Sequence, residues 1–458
     1  MKTSGLGIVV GLALSLLGCG SDDSGASPGG GGGGGGAAGA GGTAGSGGSA
    51  GAAGGGSALS PCDAPPRNLW TWELGVMPPQ DVQVPSTCRG LTDHAYIYVA
   101  DDAWGTDVTQ DQLETIAAAF EKATPSDPSQ GIYSLDVSTF GEPPDVDGDP
   151  RVILFYVPMN AFQSFTFDGF FRADDQSPGP HSNETEMLHL NAAGKNAPDS
   201  EYMLGVVAHE LVHLIASKYD SAEQGWLDEA LAESAMVKAG YMTDLSAGKS
   251  YAKATAITPL CVSSYSDYGA TFSWGSYMLD RFGSDFLASV LQDPADGRAS
   301  IEAHLPSGTT FRDVFGEFMV ATLLDQPGLG DGRYGFSSVD VSALGAEAAA
   351  VLDGAPHDVK SVAFGARMLK FSPSGAGTVS IDLSSADLAQ LVVHSVAFDP
   401  ASPDKATVTL EDATQSISVP VAAGQAVDLV IAVDAGPALS SSQSAPSSTI
   451  TYTATYSP

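Results

Sequence analysis

The sequence predicts an α+β domain, in which a mixed sheet, a histidine-bearing helix and a helical subdomain follow one another, and then an all-β sandwich-like domain. Three observations predict it. Before residue 360, short extended apolar runs alternate with stretches of helical apolar spacing. Near residue 360 the composition changes. Beyond it come short Val-, Ile- and Thr-rich runs separated by Gly, Pro, Ser and Asp. A chain of 458 residues has room for two or three domains.

The first residues read as an export signal. Lys2 supplies the positive start, and the apolar run 5–17 is shorter than the about 20 residues of a membrane span. It ends in Leu16-Leu17-Gly18-Cys19, which resembles the lipobox of bacterial lipoproteins. That resemblance implies a signal over 1–18, cleavage before Cys19 and a diacylglycerol on its thiol. Gly20 stands where an aspartate often retains lipoproteins at the inner membrane, so the expected location is the outer membrane or cell surface. Residues 19–60 are the lipidated cysteine and a Gly/Ala/Ser-rich tether that has nothing to bury, with a reach of roughly 35 Å. Of the remaining cysteines, Cys62 and Cys88 are expected to pair, leaving Cys261 free.

Folded sequence begins near Pro61, and the first domain is expected over 61–360, the second over 361–458. In order, 94–100 reads as a strand, 111–123 as a helix, 151–158 as a buried strand and 187–191 as a short strand. Helices follow at 202–217, 227–238, 270–282, 285–292 and 310–324. Strands are expected at 378–383, 390–398, 406–410, 416–421, 427–433 and 449–456.

Charge excludes one class of partner. With 54 acidic and 19 basic residues the formal net charge is −35, the wrong sign for a phosphate backbone.

The chemistry lies in His209-Glu210-Leu211-Val212-His213 and Trp226-Leu227-Asp228-Glu229-Ala230. On a helix, residues four apart share a face, so both imidazoles can reach one ion, with Glu210 beside them. The chain has 8 histidines, and chance would place HExxH in about one such chain in a hundred. A catalytic zinc takes three protein ligands and keeps one position open. Glu229, on the next helix after a short loop, is the best third ligand. The constellation implies a zinc-dependent peptidase in which Glu210 takes a proton from water and passes it to the leaving amine. The competing reading is a zinc-bearing but non-catalytic surface adhesion lipoprotein, which the intact Glu210 opposes.

These two motifs resemble those of the gluzincins, thermolysin-like peptidases whose third zinc ligand is a glutamate on a second helix. The resemblance implies a zincin-like catalytic domain. There the motif reads Glu-x-x-x-Asp, and the aspartate hydrogen-bonds a zinc-bound histidine; here it is Glu229-x-x-x-Glu233, so Glu233 would fill that role with a longer side chain. Fifteen residues separate His213 from Glu229, a little fewer than in thermolysin. The wording Trp226-Leu-Asp-Glu-Ala-Leu-Ala-Glu is similar to the hyicolysin-type branch, as are HAYIYV at 94–99, the Phe140-Gly-x-Pro-x-Asp-Val-Asp-Gly-Asp turn and Tyr268-x-x-x-Phe272. It spans roughly residues 90–345. A transition-state donor is expected downstream, with Tyr265, Tyr268 and His304 as candidates. An edge strand is expected to line the cleft and pair with substrate backbone, and Met187–Asn191 is the candidate. No Gly-x-Met-Glu-Asn-type amine-binding motif is present, so an endopeptidase acting on peptide or protein is favoured over an aminopeptidase.

One weaker signal is Asp145-Val146-Asp147-Gly148-Asp149. Three carboxylates in a turn match calcium loops in part, without the closing glutamate of an EF-hand; a plain acidic turn is the simpler reading. His94, His181, His189, His357 and His394 have no metal-ligand spacing and are expected to pack or face solvent.

Overall fold

In the computed structural model the described residues are 58–162, 166–244, 256–257, 265–341, 348–436 and 447–458, with backbone alone at 256–257 and 265–268. The signal, Cys19, the tether and Cys261 lie outside them.

The N-terminal sheet has six strands: β1 (Arg67–Glu73), β2 (Gln80–Leu91), β3 (Ala95–Ala100), β4 (Val152–Val157), β5 (Gly169–Phe171) and β6 (Met187–Asn191). Their order is β1-β2-β3-β4-β6-β5, with β3, β4 and β6 parallel and the rest antiparallel. β4 (VILFYV), in the interior of the sheet between β3 and β6, is buried at every position. Burying an aliphatic side chain of this size contributes about 1.5–3 kcal/mol. Cys62 and Cys88 form a disulfide with Cα atoms 5.8 Å apart, fastening the entry segment to β2.

Between and after these strands come α1 (Gln110–Glu121), α2 (Ile132–Phe140), α3 (Glu201–Tyr219), α4 (Gly225–Lys238), α5 (Tyr265–Phe282), α6 (Ser284–Leu291), α7 (Arg298–His304) and α8 (Phe311–Leu324). Helix α3 starts at Ser200, whose hydroxyl accepts from the Met203 N–H, and it is apolar on nearly every side because it runs through the middle of the domain.

The C-terminal region is β-rich. One sheet is ordered β13-β12-β15-β10-β7, from β13 (Ser402–Glu411), β12 (Leu391–Asp399), β15 (Ala426–Val433), β10 (Ala366–Phe371) and β7 (Ala256–Ile257), with β8 (Ala348–Ala349) also on β10. The other is β14-β11-β16-β9, from β14 (Ile417–Val421), β11 (Gly377–Ser384), β16 (Ser447–Ser457) and β9 (Asp353–Val362). Leu369, Val393, Leu429 and Ile431 of the first sheet share a core with Ile381, Val419, Ile450 and Tyr452 of the second.

The C-terminal sheets pack against the region that precedes them. Alternate residues Val392, Val396, Val430 and Ala432 face the other way and join the main core of the first domain, against α8. This is why β12 and β15 read as unbroken apolar runs: both faces of their sheet are covered. Arg312 donates to the Leu391 carbonyl and Arg298 pairs with Asp434 across the same junction. The sheets also begin before residue 360, since β9 starts at Asp353 and β7 is supplied by residues 256–257. Among the described residues no helix is long and apolar enough to cross a membrane.

Candidate metal centre

Helices α3 and α4 pack side by side, and their facing sides carry the chemistry. His209 and His213 are one turn apart on α3, and their Nε2 atoms lie 3.1 Å from each other. Glu229 of α4 reaches between them: its Oε2 is 3.4 Å from His209 Nε2 and 3.9 Å from His213 Nε2. Zinc bonds of about 2.0–2.2 Å in a tetrahedron imply donor-to-donor edges of roughly 3.3–3.6 Å. The three observed edges bracket that range, so the two nitrogens and one oxygen fit a single ion of this size.

Each histidine has a carboxylate behind it. Asp228 Oδ2 is 3.1 Å from His213 Nδ1, and Glu233 Oε1 is 4.0 Å from His209 Nδ1. Asp228 and Glu229 are adjacent in sequence, yet one addresses the outer nitrogen of His213 and the other its inner nitrogen. A carboxylate beside the outer nitrogen would favour the tautomer whose Nε2 is free to act as a donor to a metal. From sequence, Glu233 is the expected orienting carboxylate and Asp228 a residue that caps or orients; in the structure Asp228 stands at the shorter distance. Asp228 could have been anticipated from its place beside the third ligand, but nothing in the spacing distinguishes it from a helix-capping aspartate.

The electrostatics are those of a cation site. Glu210, Asp228, Glu229, Glu233 and His213 are all buried. Burial opposes charge on His213, but Asp228, Glu229 and Glu210 outweigh it and hold its pKa up at about 10. His209 is raised as well, burial being overcome by Glu229, Glu233 and Glu210. Burial pushes the Glu210 carboxyl above its ordinary range and the Glu233 carboxyl to about 7, with the histidines pulling the other way. Four buried carboxylates around two imidazoles leave negative charge that a divalent cation would balance.

The Glu210 side chain lies against β5. A Cβ on Gly169 would lie 3.1 Å from Glu210 Cγ and 3.2 Å from its Oε1, and 2.9 Å from Val206 Cγ1. Only glycine lets the strand run this close to the carboxylate. Here an expectation is corrected. The strand at the cleft edge is β5, because Gly169, Phe170 and Phe171 pair with Leu190, His189 and Leu188 and cover β6. Three residues containing a glycine carry too little periodicity to be read as a strand. What holds β5 is a buried polar cluster. Phe170 stacks on His189, whose ring nitrogens bond Thr71 Oγ1 and Asp175 Oδ2, and Arg172 binds Asp175 and Asp81. His189 is thus structural.

Of the three donor candidates, His304 is engaged with Asp293 at 2.8 Å, partly exposed at the end of α7, and is not among the side chains gathered at the His209–His213–Glu229 group. Tyr265 and Tyr268 lie on the first turn of α5, with side chains outside the described residues.

No protein-family model matches the chain, and no curated protein matches it. Among solved structures, a periplasmic inhibitor of g-type lysozyme, PliG, from Aeromonas hydrophila is 10% identical, covers 22% of this chain and 85% of its own, and has a TM-score of 0.17. A pre-peptidase C-terminal domain of collagenase from Bacillus anthracis is 13% identical, covers 24% of this chain and 95% of its own, and has a TM-score of 0.17. What stands on the geometry of this chain is a buried His-His-Glu group able to hold a metal ion.

Proposed function

We propose that the chain is a zinc-dependent endopeptidase of gluzincin type, carried on the bacterial envelope by a lipid at Cys19 and acting on peptide or protein substrates. The observation that supports it most is the convergence of His209, His213 and Glu229 on one point with Glu210 beside them. Bound there, zinc supplies Lewis acidity and brings the pKa of a water toward about 7.

The chain's own residues do the rest. His209, His213 and Glu229 hold the ion, and Asp228 and Glu233 hold the imidazoles. Glu210, buried and raised by burial, is suited to take a proton from the attacking water and to return it to the leaving nitrogen. Among the described residues β5 is the last strand of its sheet, and an extended peptide would add to it as a further strand next to Glu210. Peptide recognition would then rest on the main chain.

The test is hydrolysis of casein by the full chain, with zinc measured in the same preparation. Activity should track zinc content, vanish with a zinc chelator and return when zinc is restored. A chain that binds zinc stoichiometrically and cleaves nothing would favour the non-catalytic adhesion reading.

A further inference from the structure

A second group of ionisable residues lies at the other end of the sheet and has no part in the chemistry above. The loop entering β4 carries Asp145 and Asp147, and Glu186 immediately precedes β6, the strand next to β4. One carboxylate oxygen of each lies within 4.8 Å of the other two. The sequence placed three aspartates in this turn; the structure turns Asp149 away, to Arg151 at 3.0 Å and the Tyr96 hydroxyl at 2.9 Å, and brings Glu186 in instead.

Glu186 is what separates this loop from an ordinary acidic turn. It is 2% exposed. Its Oε1 accepts from the Val146 N–H, in the middle of the loop, while its Oε2 is buried with no hydrogen-bond partner. A buried carboxylate oxygen left without a partner is costly, and two facing aspartates make it costlier. Burial, then Asp147 and Asp145, hold the Glu186 carboxyl up at about 7.

The loop is shaped around the three carboxylates. Asp145 Oδ1 accepts from the Gly148 N–H at 2.9 Å, Asp147 Oδ1 from the Asp149 N–H at 2.9 Å, and Asp147 Oδ2 from the Thr185 hydroxyl at 3.0 Å. Gly148 has φ +85 with nothing within 4 Å of a built Cβ, so the backbone's left-handed turn, and not crowding, selects glycine.

We propose that Asp145, Asp147 and Glu186 form a second, structural metal site that binds a hard divalent cation, calcium by its chemistry, and ties the entry of β4 to the entry of β6. Three carboxylates without imidazole or thiolate select a hard ion. Calcium takes 6–8 oxygens in adaptable geometry, and the exposed Asp145 and Asp147 leave room for water to complete the shell, whereas magnesium demands a near-ideal octahedron. The site does not depend on the peptidase reading. Its effect is on the folded state: β6 leads into α3, so a cation here braces the strand that delivers the histidine helix.

Thermal unfolding of the full chain, zinc-loaded, with and without millimolar calcium, tests this. Calcium should raise Tm by about 3–5 °C. The same rise is expected in His213→Ala, because the two sites are separate. It should be lost in Asp147→Asn and in Glu186→Gln. Should the buried Glu186→Gln chain fail to fold, the exposed Asp147→Asn decides alone. Terbium emission excited through the nearby Tyr96 gives a second readout: it should appear with the native chain, be displaced by calcium and be lost in Asp147→Asn. A native Tm indifferent to calcium, or a calcium shift and terbium emission undiminished in Asp147→Asn, would overturn the proposal.

Discussion

The His209–His213–Glu229 group and the Asp145–Asp147–Glu186 group belong to one continuous stretch of the fold, the loop before β4, then β6, then α3, but differ in every physical respect. The first is built from two helices, with imidazole donors, buried carboxylates on the outer nitrogens and Glu210, 6% exposed, beside it. The second is built from a turn, with oxygen donors alone and two of its three carboxylates in solvent. Helices hold their donors to fixed edges, which suits a small ion of tetrahedral habit; a turn adapts, which suits a large one. On the proposed reading, the difference teaches where reactivity resides: the rigid nitrogen-bearing group, beside the edge strand β5, carries the chemistry, and the oxygen-bearing one braces the fold.

That comparison is broken most severely by removing a zinc donor. His213→Ala or Glu229→Ala should abolish stoichiometric zinc and all hydrolysis, measured by metal analysis and casein cleavage, while the calcium-dependent Tm shift persists. Loss of both effects together would show the two groups to be one system.

A smaller change sharpens the role of the outer carboxylates. Asp228→Asn should weaken zinc binding by about 10–100-fold, measured by competition with a chromogenic chelator. Glu233→Gln, whose parent oxygen stands 4.0 Å from its histidine, should cost less. An equal loss in both would contradict the distances.

Gly169→Ala tests the strand beside the base. The added methyl must displace Glu210 or Val206, so kcat/KM should fall by about 10-fold, a cost of roughly 1.4 kcal/mol, with zinc content unchanged. Unchanged kinetics would mean that β5 does not position Glu210.

A further prediction concerns pH. In calcium-free chain the Glu186 carboxyl stands at about 7 against an ordinary 4.5. The folded state therefore holds that proton more tightly than the unfolded one. Its stabilising contribution is full below about pH 4.5 and is lost as the pH rises through 7. Glu186→Gln lacks this dependence, so without calcium its Tm should gain on the native chain between pH 4.5 and 7. A native-minus-variant difference that is flat across that window would remove Glu186 as the cause.

How far these features could be read from sequence follows from their range along the chain. HELVH declares its own helix, and the apolar spacing of 202–217 matches α3 because a helix buried on all sides still needs caps and length that show in the residues. The strands with alternating or unbroken apolar runs, β3, β4, β12 and β15, were equally legible. What was not legible depends on pairing between distant segments. β5 is too short to show a period, and only its place against β6 makes it a strand. β9 and β7 carry little hydrophobic signal and are recruited by neighbours. Glu186 lies 39 positions beyond Asp147, so no local motif joins them. Asp228 was visible as a residue, but its contact with His213 depends on how α4 rests on α3. The junction between α8 and the β12–β15 sheet was hidden for the same reason, since an apolar run does not say which partner covers each face.

The most direct test of the central claim is casein hydrolysis by the full native chain and by Glu210→Gln, with zinc measured in both samples. The account predicts equal zinc in the two and a fall in turnover of about 10²–10⁴-fold in the variant, the loss of a general base. A Glu210→Gln chain that holds zinc and cleaves casein as fast as the native one would contradict it.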